Sequence, residues 1–108
     1  MTLSLNKWDI WLAKVAFEDA PDIIKKRPVL IIDDMKCLVL SLKITSHSPR
    51  ENYKDEYQII EWEKAGLLKP STLRISKKLL LPKNSFLFKL GELQPIDKKN
   101  IINILSSK

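Results

Sequence analysis

The residues in this chain that can do chemistry are cations and hydroxyls. Arg27, Lys43, Thr45, Ser46, His47, Arg74 and Ser76 fall in or beside segments patterned as β-strands, so strand ends can deliver them to one place. A guanidinium binds phosphate oxygens bidentately and hydroxyls orient them, and such a set suits a phosphodiester. His47 is the single histidine, with an ordinary pKa near neutrality, and it follows Thr45 by two residues. The plain alternatives are structural ion pairs for Arg27 and Arg74 and a solvated loop position for His47. Gly66 and Gly91 are the only glycines, too few for a phosphate-cradling loop. There is no cysteine–histidine cluster and no carboxylate group at metal-ligand spacing. ATP, dinucleotide and metal chemistry are therefore disfavoured, and neither cofactor nor metal is expected.

The elements that must position these residues can be read in chain order. Trp8 to Phe17 is apolar on both alternating faces, which predicts a strand buried on both sides, inside a small barrel or under a dimer partner. Glu18 to Lys26 turns at Ala20-Pro21, passes from acidic to basic, and reads as a long loop. Arg27-Pro28 then opens a strand to Asp33, because proline has no N–H for a ladder and favours a strand's first position. Asp33-Asp34 reads as a tight connection into Lys36–Thr45, where Leu38, Leu40, Leu42 and Ile44 face one way and Val39, Ser41, Lys43 and Thr45 the other. A polar loop, Ser46 to Asn52, leads to a strand over Tyr57–Trp62 and one helical turn ended by Gly66. Ser71–Lys78 places Leu73 and Ile75 inward and Thr72, Arg74 and Ser76 opposite. Leu79-Leu80-Leu81 ends at Pro82, and Phe86–Leu90 forms a last short strand. Asp97 is placed to cap a helix with Ile101, Ile102, Ile104 and Leu105 as its apolar stripe. Five or six short strands and one late helix predict a mainly β (α+β), barrel-like domain over 1–108, with surface left over for a homodimer.

Charge narrows the partners. Nineteen Lys and Arg against 13 Asp and Glu leave +6, with a pI near 9.5, which favours an anionic partner, nucleic acid first and an acidic protein second. Cys37 is the lone cysteine and excludes an intrachain disulfide, consistent with a reducing interior. No apolar run approaches membrane-spanning length, and a cytoplasmic location is expected. Lys77, Lys78, Lys83 and Lys89 can line a groove for a phosphate backbone, while Trp8, Trp11 and Trp62 are expected in packing rather than on bases.

In order along the chain, Asp9-Ile10-Trp11-Leu12, a long loop, Arg27-Pro28-Val29-Leu30-Ile31-Ile32, Ile44-Thr45-Ser46, Ala65-Gly66-Leu67, Ser71-Thr72-Leu73-Arg74-Ile75 and Lys89-Leu90-Gly91-Glu92-Leu93 resemble the MazF/PemK (Kid) toxin family, over about positions 8 to 105. The resemblance implies an SH3-like barrel with a C-terminal helix and a homodimer. It further implies a metal-independent, sequence-specific endoribonuclease acting on single-stranded RNA and neutralised by an antitoxin wrapped over its surface. In that family the arginine of Arg-Pro and the threonine of the following Thr-Ser act on the scissile phosphate, roles that pass to Arg27 and Thr45. Arg74 matches the arginine of the Val-Val-Arg-Cys-Asp stretch in Kid-type members. Their aspartate two residues on is Ser76 here, and their first-loop histidine falls near Pro21, so the Kid-type acid/base pair has no counterpart. His47 is the substitute proton carrier offered by the residues themselves. Lys26, Lys43, Ser46, Ser76 and Lys77 are the candidates for holding RNA. Two readings remain beside this one. CcdB toxins use the same barrel to poison DNA gyrase as protein ligands, and a barrel of this kind can bind nucleic acid without cutting it.

Overall fold

Apolar residues on both faces of the first segment give a strand, β1 (Asp9–Ala16), in which Ile10 on one face and Trp11, Ala13 and Val15 on the other are all buried. The structure is a computed structural model that describes residues 5–16, 22–35, 38–46 and 55–106, with the backbone alone at 35, 38–40 and 76–77. After β1 come β2 (Ile24–Met35), β3 (Leu38–Thr45), β4 (Glu56–Gln58), β5 (Thr72–Pro82), a 3-10 turn at Lys83–Ser85, β6 (Phe86–Glu92) and α1 (Pro95–Ser106). They form one six-stranded antiparallel sheet in the order β4-β5-β3-β2-β1-β6.

The sheet is coiled but not closed by pairing: β4 and β6 are its edges. At the seam two backbones touch. A Cβ on Gly66 would lie 2.0 Å from the Leu90 carbonyl oxygen, and one on Gly91 2.1 Å from that of Ala65. Gly66 also has φ +93, open to glycine at little cost. Each face carries a core. Ile10, Leu30, Leu42, Leu73 and Ile101 pack inside the coil, and Trp11, Val15, Val29, Ile31 and Phe86 pack on the other face under Leu79 and Leu81.

Several expectations change. β2 begins at Ile24, so Lys25, Lys26 and Arg27 are strand residues opposite Val15, Lys14 and Ala13, and Pro28 lies mid-strand. This is possible because β2–β3 pairing ends at Val29↔Lys43, leaving 24–28 hydrogen-bonded to β1 alone. Asp33 and Asp34 do not turn. A bulge between Ile31 and Asp33 shifts the register, and both aspartates stay paired with β3. The strand expected over Tyr57–Trp62 stops at Gln58. The helical turn to Gly66 does form, with Ala65 N–H donating to Glu61 O at 3.0 Å. Asp97 is no cap but a helical residue, fully buried, and its carboxylate accepts the N–H groups of Ile60 and Glu61 at 2.9 and 3.0 Å and the Tyr57 hydroxyl at 2.5 Å. That carboxylate is what turns the chain after β4. Asn100 donates to the Tyr57 oxygen at 3.0 Å, and burial with the Asp97 hydrogen bond pushes the phenol up to about 12. The helix stripe is narrower than its sequence, with Ile101 buried, Ile104 half-buried, and Ile102 and Leu105 exposed. No helix among the described residues is long and apolar enough to cross a membrane.

Candidate functional site

Register decides which candidates share a face. Val29 stands opposite Lys43, Lys43 opposite Arg74, and Arg74 opposite Glu56. Arg27 and Thr45 lie two residues from Val29 and Lys43 in their own strands, so Arg27, Lys43, Thr45 and Arg74 belong to one face of the sheet. It is the face that carries Trp11 and Val29, at the end their core leaves uncovered.

The two arginines are held differently. Arg74 Nε lies 3.2 Å from Glu56 Oε2, with side chains 20% and 5% exposed. That nitrogen is buried without an aligned hydrogen-bond acceptor, so the contact is an ion pair rather than a directed hydrogen bond. Arg27 is half-buried, stands opposite Ala13, and has no ion-pair partner among the described residues. Lys43 and Thr45 are half-buried, Thr45 opposite the buried Thr72.

Lys26 and Ser46 belong to a neighbouring feature, a cleft of about 270 Å³ where the inner core meets solvent. Phe88 faces Leu12 and Leu12 faces Pro28 in register across β6, β1 and β2, forming its floor. The segment Gly66–Lys69 lines it too, together with Lys26, Arg27 and Ser46. A register irregularity between Leu12 and Ala13 puts Phe88 in this cleft while Phe86 packs edge-on to Trp11, centroids 6.2 Å apart.

Ser76 and Lys77 fall in the backbone irregularity of β5, where pairing jumps from Leu42↔Lys78 to Lys43↔Arg74. Their side chains lie outside the described set, as does all of His47. Of the four lysines expected to line a groove, Lys77, Lys78, Lys83 and Lys89, two stand in ion pairs. Lys83 Nζ lies 3.4 Å from Asp34, while Lys89 Nζ lies 2.9 Å from Glu92 and 3.4 Å from Asp9. The Glu92 hydrogen bond, with Asp9 adding to it, holds the Lys89 ammonium above its ordinary range. Among the described residues no three His, Cys, Asp or Glu side chains converge as metal ligands.

Sequence reasoning missed Glu56, Leu68 and Phe88. A lone glutamate before a three-residue strand carries no local signal, and Phe88 reads as core until the irregularity beside it is known.

No family model matches this chain, and no curated protein matches it in sequence. Among solved structures, the Mycobacterium tuberculosis toxin MazF-mt6 is similar over 88% of this chain and 89% of its own, with a TM-score of 0.64 and 20% identity. With its coiled antiparallel sheet and C-terminal helix, the chain has the MazF fold.

Proposed function

We propose that this chain is the toxin of a toxin–antitoxin pair and that it cuts single-stranded RNA without a metal. The observation that carries the reading is the grouping of Arg27, Lys43 and Thr45 on one face of a MazF fold, beside a largely apolar cleft whose lining includes Lys26 and Lys69. Cleavage without metal needs three things: the 2′-hydroxyl deprotonated, the phosphorane charge stabilised, and the leaving oxygen protonated. The 2′-oxygen then bonds to phosphorus as the bond to the 5′-oxygen breaks, leaving a 2′,3′-cyclic phosphate and a 5′-hydroxyl. Arg27 donates to the phosphorane oxygens and Thr45 orients them. Arg74 adds positive potential at longer range, because Glu56 offsets part of its charge. His47, two residues past the end of β3, is assigned the proton transfers. Lys26, Lys43, Ser46, Ser76 and Lys77 hold the flanking backbone. The protein partner is an acidic antitoxin, complementary to a chain of charge +6, and the toxin acts as a homodimer in the cytoplasm.

The test is incubation with a long single-stranded RNA in EDTA, beside Arg27→Ala. Discrete fragments with 2′,3′-cyclic ends from the native protein alone are expected. Intact RNA with a folded protein would move the function to poisoning a protein target or to binding alone.

A further inference from the structure

The arm formed by residues 13–16 of β1 and 24–28 of β2 breaks a rule of strand pairing. Lys14 stands directly opposite Lys26. Residues so placed have their Cβ atoms about 4.5–5.5 Å apart, and like charges there are destabilising. The pair sits inside an unbroken ladder from Ile10↔Leu30 to Ala16↔Ile24, so neither lysine can shift register alone. Nor does the arm offset the repulsion. It carries Lys14, Lys25, Lys26 and Arg27 and no carboxylate, and none of its three lysines has an ion-pair partner among the described residues. Lys14 and Lys26 are both exposed, on the face of the arm that continues from Leu12 and Pro28 and opposite to the one that carries Arg27. A shallow hollow beside Lys14 is lined by Asn84 and Ser85 with Ala16, Ile24 and Leu81, again without a carboxylate.

A local cost with no compensation inside the chain marks a place where compensation comes from a ligand. Two adjacent ammonium groups are offset by an anion shared between them, and a lysine meets a phosphate as a point charge. The Asn84 amide and Ser85 hydroxyl add neutral donors of the kind that phosphate and sugar oxygens accept. We infer that Lys14 and Lys26 form a second polyanion site, a ridge that holds the phosphate backbone of a nucleic-acid strand outside the segment bound at Arg27. The inference rests on the RNA-cleaving reading for the identity of that strand and adds to it a preference for long substrates. The sheet stands between the ridge and Arg27, and residues 24–28 make no rung to β3, so a strand held at Arg27 reaches the ridge round that edge.

The experiment compares two 2′-O-methyl oligoribonucleotides, which carry the phosphates but no free 2′-hydroxyl. One has about 6 nucleotides, enough for the Arg27 face, and one about 20, enough for both sites. Their affinities are measured by fluorescence anisotropy over a range of salt for the native protein, for Lys14→Gln, and for Lys99→Gln, which removes the same charge from an exposed position on α1. Lys14→Gln should weaken the long strand about fivefold more than the short one and lower the long strand's salt slope by about 0.7, the share of one single-strand phosphate contact. Lys99→Gln should leave the ratio of the two affinities at its native value. Lys14→Glu turns the like pair into an opposite one, so its thermal midpoint should rise by about 2–4 °C while the long strand binds more weakly than to Lys14→Gln. A midpoint that falls would overturn the inference, as would equal losses for Lys14→Gln and Lys99→Gln, equal losses on the short and long strands, or no binding of either strand. Unchanged strand affinity with lost affinity for a polyglutamate peptide would also overturn it and assign the ridge to an acidic protein. Unmodified RNA decides cleavage separately. Intact RNA beside the expected binding pattern retires cleavage and keeps the ridge, whereas discrete fragments with no difference between Lys14→Gln and Lys99→Gln retire the ridge and keep cleavage.

Discussion

Arg27 and Arg74 occupy the same face of one sheet in opposite circumstances. Arg74 stands in a row across three strands, Lys43 on one side and Glu56 on the other, with Glu56 almost out of water. Arg27 faces Ala13 across β1 and no anion among the described residues. A guanidinium whose charge is already matched holds strands together, and one left unmatched where its strand is paired on one side only is available to a ligand.

The largest effect expected from that difference is functional. Arg27→Ala should lower RNA cleavage by about 10²–10³-fold, as losing one oxyanion donor does, while denaturant unfolding shifts by no more than about 0.5 kcal/mol. Arg74→Ala should do the reverse, costing about 2–4 kcal/mol of stability because the Glu56 carboxylate, almost out of water, loses its guanidinium. Adding Glu56→Gln to that variant should restore most of the loss. A well-folded Arg74→Ala protein with no cleavage would break the comparison and make Arg74 the direct phosphate ligand. At the seam, Gly66→Ala drives a Cβ against the Leu90 carbonyl at a φ of +93 and should cost about 3 kcal/mol. It displaces the segment that lines the cleft and not the Arg74 row, so the Arg74–Glu56 coupling measured by a double-mutant cycle should stay unchanged. The smallest effect is a pH slope on the Arg74 side of the molecule. The Tyr57 phenol titrates near 12 when folded against 10 ordinarily, so between those values the unfolded chain loses its proton and the folded one keeps it. Stability should therefore fall as pH rises from 10 towards 12, and Tyr57→Phe should flatten that slope in urea titrations.

Strand existence was legible because the signals are local: β1 is apolar on both faces, and β3 and the first half of β5 follow an alternating apolar period. The MazF fold was legible in the order of short motifs such as Arg27-Pro28 and Thr45-Ser46. Boundaries were not, because they depend on partners. Lys25 and Lys26 look like loop until β1 supplies Val15 and Lys14 to pair with, and Asp97 looks like a cap until Ile60 and Glu61 present N–H groups to it. The candidate site was half legible. Residue type offered Arg27 and Thr45 among seven candidates and the family resemblance singled them out, but only register separates the paired Arg74 from Arg27, and only the irregularity between Leu12 and Ala13 sends Phe88 to the cleft.

Pro28 has a mechanical consequence. The rungs joining β2 to β3 stop at Val29, whereas those joining β2 to β1 run on to Ile24. Over 24–28 the strand is thus a tine of a fork, clamped along one edge and released along the other. No backbone rung between β2 and β3 therefore fixes the spacing of Arg27 and Thr45 across that gap. A ligand bridging the two would break no rung of that pair, whereas a longer ladder in place of that imino ring would set the gap before any ligand arrived.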